Sequence, residues 1–335
     1  MILVTGGTGL VGAHLLYHLS LENETIKAIH RSTSNLEAVK NVFSYYTEAY
    51  EQLFQKIEWI EADITDVFAL ELAFKNVTKV YHCAALISFH EKDYRAMRKI
   101  NIDGTANIVN FCIEKNVSKL CFVSSIAAVG KALPDTLINE DAEWDIEKSN
   151  YGYAITKYGA EMEVWRASQE GIPVVIVNPG VILGPGFWNS GSGQLFKNIF
   201  NGFKFYTEGV TGYVAVNDVV KAMLQLMNST IKNERFILVA ENKSFKNVFD
   251  VIAENFDKKP PTIKVSKFMS AIGWRFEKVK YWFTRKRPLL SKQSAESMHA
   301  QRFYSSEKLE KALNFKFEPI AKTIALVCTA YKNKK

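Results

Sequence analysis

The chain opens MILVTGGTGLVG, residues 1–12, an apolar run that ends in a cluster of glycines. A short, nearly continuous apolar stretch that stops at glycine reads as a buried strand entering a tight turn. From Leu10 the apolar residues recur at helical spacing, so the turn opens an amphipathic helix. Gly6, Gly9 and Gly12 stand three apart. Bare backbone at such a junction lets the chain approach a pyrophosphate, and the first N–H groups of the helix, with its dipole, favour the anion. The context carries this reading, because a glycine-rich stretch is weak evidence unless it sits between a strand and a helix. Gly6, Gly9, Leu10, Val11 and Gly12 are the candidate contacts.

Working outward, TIKAIH, IEWIEA, KVYHCAA, KLCFVSS and PVVIVNP repeat the pattern. Each run is short and apolar, and helix-length sequence separates it from the next, as for parallel strands covered on both faces. The expected fold is α/β: a doubly wound parallel sheet with a smaller, mainly helical C-terminal lobe. Residues 1–178, with 213–241 returning to them, form the expected dinucleotide-binding domain; 179–212 and 242–335 form the expected substrate lobe. Lys259, Pro260 and Pro261 mark a break within that lobe.

Length and composition narrow the classes further. The 335 residues suffice for a large core, and the net charge of +7 is spread along the chain without a nucleic-acid-binding pattern, so no nucleic-acid partner is expected. The first strand leaves no room for a signal peptide, and no run of apolar residues is long enough to span a bilayer, which together give a cytoplasmic expectation. Cys83, Cys112, Cys121 and Cys328 lack paired spacing and read as small core residues. His14 and His18 are four apart on a predicted helix, but no third ligand accompanies them, so no metal is expected.

The stretch YGYAITKYG, residues 151–159, is the candidate for chemistry. Tyr153 and Lys157 lie one helical turn apart on one face, where an ammonium sits near a phenol. A phenol ordinarily titrates near pH ~10, and a neighbouring cation lowers that value toward usefulness. Tyr151 and Tyr158 do not share the face of Lys157.

Several motifs in one order resemble the extended short-chain dehydrogenase/reductase family, in its epimerase/dehydratase and dihydroflavonol-reductase-like branches. TGGTGLVG is similar to that family's phosphate turn, ADITD to its adenine-side strand end with Asp63 and Ile64, and HCAA to its fourth strand end with Ala84 and Ala85 against the cofactor. KINIDGTANIV resembles the helix whose asparagine, here Asn101, supports the active site. FVSSIAAVG carries the catalytic serine at Ser125, YAITK the tyrosine and lysine, and NPGVILGPG the turn that holds Pro179. The resemblance implies that Tyr153 moves a proton while hydride moves to or from a carbonyl carbon. Lys157 lowers the tyrosine's pKa and binds the nicotinamide ribose, Ser125 holds the substrate oxygen, and Asn101 acts behind them. Ser124 is the weaker serine, since alternation on a strand turns it to the opposite side. The resemblance also implies a homodimer paired through the helices that begin near Asp93 and Tyr151.

Departures from the family pattern shape the expected substrate. Ser125, Ile126 and Ala127 stand where sugar-nucleotide dehydratases carry Thr-Asp-Glu, so the carboxylates for water elimination are missing. EGVTGYVAVNDVV, residues 208–220, lacks the arginine with which many nucleotide-sugar epimerases grip a diphosphate. The expected substrate is a moderately apolar small molecule bearing a carbonyl or secondary alcohol; a nucleotide-sugar epimerase and a non-catalytic cofactor-binding regulator are the alternatives. At the end of the second strand, His30 and Arg31 followed by Ser32, Thr33 and Ser34 replace the acid that NAD enzymes use, so NADP(H) is preferred over NAD(H). KFMSAIGWRFEKVKYWFTRKRP, residues 267–288, interleaves aromatics with cations. The favoured reading is a lobe helix with aromatics toward the core; a peripheral helix on an anionic membrane is the alternative.

Overall fold

A computed structural model describes residues 1–22, 24–130, 136–145, 151–284 and 291–333. Its main sheet has seven strands: β1 (Ile2–Thr5), β2 (Ile26–His30), β3 (Ile57–Glu61), β4 (Lys79–His82), β5 (Lys119–Val123), β6 (Val174–Pro179) and, further along, β10 (Glu234–Leu238). The order is β10-β6-β5-β4-β1-β2-β3, and every pairing is parallel. Alternation divides the strand residues between two cores. Ile2, Val4, Tyr81, Cys121, Val175 and Val177 face one layer, and Leu3, Val80, Leu120, Phe122, Val174 and Ile176 face the other. Both faces are covered, which is why these strands read as unbroken apolar runs.

The helices of the first half are α1 (Leu10–Ser20), α2 (Leu36–Ser44), α3 (Tyr50–Phe54), α4 (Val67–Ala73), α5 (Tyr94–Met97), α6 (Gly104–Glu114) and α7 (Gly152–Gln169). A π-helical segment, Arg98–Asp103, joins α5 to α6. A third core lies in the second half, around Leu183, Phe196, Tyr213, Val248 and Tyr331. It gathers β7 (Val181–Leu183), α8 (Gly193–Phe200), β9 (Val210–Ala215), α10 (Phe245–Asn255) and α14 (Ile320–Lys332). Short strands β8 (Phe205–Tyr206) and β12 (Ile263–Lys264) pair beside it, and β11 (Glu241–Ser244), β9 and β7 make a three-stranded sheet. Within 213–241, α9 (Val216–Asn228) packs on the large sheet and β10 joins it, while β9 belongs to the small one.

The remaining helices are α11 (Lys267–Thr284), α12 (Lys292–Ser297) and α13 (Glu307–Leu313). The expectation that the aromatics of 267–288 face the core is corrected over the described part: Phe268 and Phe276 are exposed, while Ser270 is buried and Trp274 half-buried. Residues 285–288 lie outside the described residues. Among the described residues no helix is long and apolar enough to cross a membrane.

Candidate active site

Parallel strands bring the candidate residues that follow them to one edge. Gly6 follows β1, Arg31 follows β2, Asp63 and Ile64 follow β3, Ala84 and Ala85 follow β4, Ser125 follows β5, and Pro179 ends β6. This is the carboxyl edge of the sheet, where the order reverses between β1 and β4 and the diverging connections leave a crevice.

At the crevice floor the backbone itself is the fitting surface. Gly6 adopts φ +68, a left-handed conformation, and a Cβ there would come within 2.5 Å of the Ala84 backbone nitrogen. At Gly12 a Cβ would lie 2.2 Å from the Gly6 carbonyl oxygen. Gly9 caps α1 in extended conformation with no side-chain cap and no acid in the first turn, so the helix terminus presents its N–H groups without a competing carboxylate. The Thr8 hydroxyl donates to Ser34 Oγ at 3.3 Å, which ties the glycine turn to the loop of exposed Arg31. The turn therefore suits the close approach of a pyrophosphate. Asp63 is partly committed, since its Oδ1 accepts from the Thr65 backbone N–H at 2.8 Å and the Thr65 hydroxyl at 2.7 Å.

The other half of the site is built from buried polar side chains. Tyr153 and Lys157 project from one face of α7, and the Tyr153 phenol lies close enough to the Ser125 side chain, just beyond β5, for that side chain to bear on it. Lys157 is fully buried; its ammonium donates to the Val123 carbonyl at 2.8 Å and lies 4.3 Å from the centre of the Phe122 ring. Asn101 sits in the π-helical segment, accepts from the Leu86 N–H at 2.7 Å, and donates to the Leu86 carbonyl and to the Thr156 hydroxyl, each at 3.0 Å. It thereby fastens the loop after β4 to α7. Tyr151 lies in a ring cluster with Phe89 and Tyr153, whereas Tyr158 stacks on Trp144 at 4.4 Å on another side.

Burial changes the expected titration. The Tyr153 phenol is pushed up to about 12 by desolvation, and the Ser125 side chain opposes that only in part. In this geometry the Lys157 ammonium is directed to the Val123 carbonyl and is itself costly to bury. Desolvation lowers Lys157 to about 8, opposed first by Glu161 and then by Cys83. His82, buried between the hydroxyls of Thr5 and Thr105, is held neutral with a value lowered to about 3, first by desolvation and then by the Lys157 charge.

Three contributors were missed from sequence. Glu161 continues the Tyr153 and Lys157 face by another four residues; it is fully buried, accepts from Asn178 Nδ2 at 2.5 Å, and lies 3.6 Å from the Arg235 guanidinium. Asn178 also donates to the Ser125 carbonyl at 3.0 Å, so one amide joins the serine turn to the carboxylate. The four-residue spacing was the available signal for Glu161. Ser124 is buried beside Glu161 rather than beside Tyr153. Arg302 lies within electrostatic reach of both Tyr151 and Tyr304, where its charge opposes their upward shifts, and no local pattern marks it, because a long segment separates it from α7. His14 bonds Tyr46 and the Pro185 carbonyl and is lowered to about 4 by desolvation; among the described residues no cluster suited to a metal is found.

Comparison with known proteins agrees with this geometry. A dihydroflavonol 4-reductase-type protein of Synechocystis sp. is 28% identical over 253 residues, 73% of this chain and 69% of that protein. The anthocyanidin reductase of Arabidopsis thaliana is 26% identical over 278 residues, covering 76% and 80% of the two chains. The crystal structure of Thermus thermophilus UDP-glucose 4-epimerase in complex with NAD superposes with a TM-score of 0.77 at 19% identity, covering 100% of this chain and 99% of that one. The model of the NAD-binding male sterility protein family matches residues 4–260. The chain therefore belongs to the male sterility protein family of NAD-binding proteins, within the extended short-chain dehydrogenases/reductases, which are NAD(P)-dependent oxidoreductases.

Proposed function

We propose that the protein interconverts a carbonyl and a secondary alcohol on a moderately apolar small molecule, with NADP(H) preferred over NAD(H). The observation that carries the reading is the meeting of Tyr153 with Ser125, with Lys157 buried one turn beyond, at the strand edge that also holds the glycine turn. Gly6, Gly9, Leu10, Val11 and Gly12 would hold the pyrophosphate, Arg31 a 2′-phosphate, and Asp63, Ile64, Ala84, Ala85 and Pro179 the rest of the dinucleotide. The bound nicotinamide supplies or accepts the hydride. Ser125 orients the substrate oxygen, and Tyr153 gives that oxygen a proton or takes one from it. A phenol near 12 is a weak acid, so the cation of Lys157 is the group that favours loss of its proton. Asn101 holds Thr156, and so α7, in register with the loop after β4. Pairing of two copies through the helices beginning near Asp93 and Tyr151 is part of the proposal; Ile155 and Met162, seven apart on α7, are exposed.

The relatives named above as reductases support reduction, and the rings of Phe89 and Tyr151 beside Tyr153 suit an apolar substrate. Arg302 favours a second reading, since it brings near Tyr151 the kind of cation missing from residues 208–220. A nucleotide-sugar substrate would use it. The deciding experiment follows nicotinamide absorbance with a panel of ketones, aldehydes and alcohols, alongside calorimetric titration with nucleotide sugars in the presence of cofactor. Turnover with at least one carbonyl compound, and sugar binding no tighter than about millimolar, roughly 4 kcal/mol, is expected. Micromolar sugar binding without carbonyl turnover would replace this reading with the epimerase, and cofactor binding with neither would replace it with a regulatory role.

A further inference from the structure

Helix α11 is amphipathic in the reverse sense for a soluble lobe. Ser266 caps its start, accepting from the Met269 N–H at 3.2 Å. The face turned to the protein sets polar groups beside half-buried Trp274: Ser270 is buried and hydrogen-bonds His299 at 2.7 Å, Glu277 is half-buried, and the Tyr281 hydroxyl accepts from Lys92 at 2.8 Å. The opposite face carries Phe268, Ile272 and Phe276 at successive four-residue steps, with Met269 beside them. All four are exposed, Phe268 to 74% and Phe276 to 67%. A core-packing helix would turn this stripe inward. Such a patch on one ridge marks an interaction surface rather than scattered exposure.

The charges identify what the ridge fits. Within α11 the cations are Lys267, Arg275, Lys278 and Lys280, against the single acid Glu277, which is turned inward and paired with Lys280 at 3.2 Å. At helical spacing Lys267 and Lys278 fall along one flank of the apolar stripe and Lys280 along the other, with Arg275 at its edge. The sequence then adds Arg285, Lys286 and Arg287. An apolar ridge between rows of long cationic side chains matches a headgroup layer, into which aromatics sink while the ammonium groups stay with phosphates. We propose that α11 docks on an anionic phospholipid surface, seating Phe268, Ile272 and Phe276 at the headgroup boundary. The far end of the helix touches Lys92, in the same loop as Phe89, whose ring lies against those of Tyr151 and Tyr153.

The test is co-sedimentation of the full chain with vesicles of phosphatidylcholine alone and of phosphatidylcholine mixed with phosphatidylglycerol. Binding to the anionic vesicles is expected to exceed binding to neutral ones by at least about fivefold, the scale of one cation at a charged surface, and to fall as salt is added. Phe268→Ser with Phe276→Ser is expected to abolish binding while circular dichroism and the cofactor affinity stay as in the unsubstituted protein, because both side chains are exposed. Wild-type protein left in the supernatant with both vesicle types, or a double variant that binds as the wild type does, overturns the proposal. So does a wild-type oligomer that the double variant dissociates in sedimentation velocity without lipid, since the face would then be covered by a second copy.

Discussion

Around Gly6 the protein offers bare backbone at the sheet edge, and the decisive residues are those without side chains; around Tyr153 it presents side chains that hold one another in a buried polar network. The two regions share one sheet edge. In the first, fit is steric, and an added methyl group meets Ala84 backbone that has no room to yield. In the second, fit is electrostatic: Asn178 links the Ser125 carbonyl to the Glu161 carboxylate, Glu161 acts on the Lys157 charge, and on the proposed function these groups would set how readily a proton moves. Steric fit fails all at once, whereas an electrostatic network shifts by degrees, so substitutions in the two regions are expected to leave different signatures.

The largest effect is expected at Tyr153. Tyr153→Phe removes only the hydroxyl, so folding and cofactor affinity should persist while turnover falls by roughly two to four orders of magnitude. Tyr151→Phe and Tyr158→Phe should do much less, since one lies in the ring cluster beside the site and the other stacks on Trp144. Equal losses at the three tyrosines in steady-state kinetics would dissolve the distinction between the regions. Gly6→Ala should do the reverse and strike binding and stability together. The left-handed φ and the contact with Ala84 suggest a cost of about 1–3 kcal/mol, the scale of an overpacked site, read as a lower melting temperature and weaker cofactor binding. An alanine variant with unchanged dinucleotide affinity would show that the turn is not the binding surface.

Arg31 sharpens the comparison from the cofactor side. It is exposed, and its loop is joined to the glycine turn through Ser34 and Thr8. A charged hydrogen bond to a 2′-phosphate is worth about 1.5–3 kcal/mol, so Arg31→Ala should weaken NADP(H) roughly ten- to a hundredfold and leave NAD(H) nearly untouched. Fluorescence titration of the wild type that finds NAD(H) bound tenfold more tightly would make the arginine a bystander.

What could be read in the sequence follows the same division. The strands of the large sheet, their parallel arrangement and the position of the glycine turn were legible because they are written locally, in apolar runs and in glycine spacing. The tyrosine and lysine were proposed from sequence because their four-residue spacing coincides with a run of motifs, YAITK among them, that resembles a known family. Arg302, Asn178 and Arg235 were not, because tertiary folding brings them beside α7 from other elements. The outward aromatics of α11 were misjudged for a related reason. Periodicity reveals that a helix has two faces, but which face meets the protein depends on partners such as His299 and Lys92 that lie elsewhere in the chain. The rise of Tyr153 was also hidden, since the spacing of a cation says nothing of how much water burial removes.

The smallest expected effect separates charge from shape within the network itself. Lys157 is lowered from 10.5 to about 8 by burial, and Glu161 is the first group opposing that fall. The ammonium form is therefore lost as pH rises through about 8, and a reaction that needs the cation should decline along that limb of the kcat/KM profile. Stability should move the other way. Between about 8 and 10.5 the unfolded chain binds the proton that the folded lysine has released, so this group's contribution to stability rises with pH across the window. An alkaline loss of activity without loss of the folded state thus marks titration rather than unfolding. Glu161→Gln keeps an oxygen to accept from Asn178 but removes the countercharge, and should carry the alkaline limb about one pH unit lower. Its pH profile superimposing on that of the wild type, with the fold intact by circular dichroism, would show that Glu161 holds Asn178 in place and leaves the lysine's charge alone.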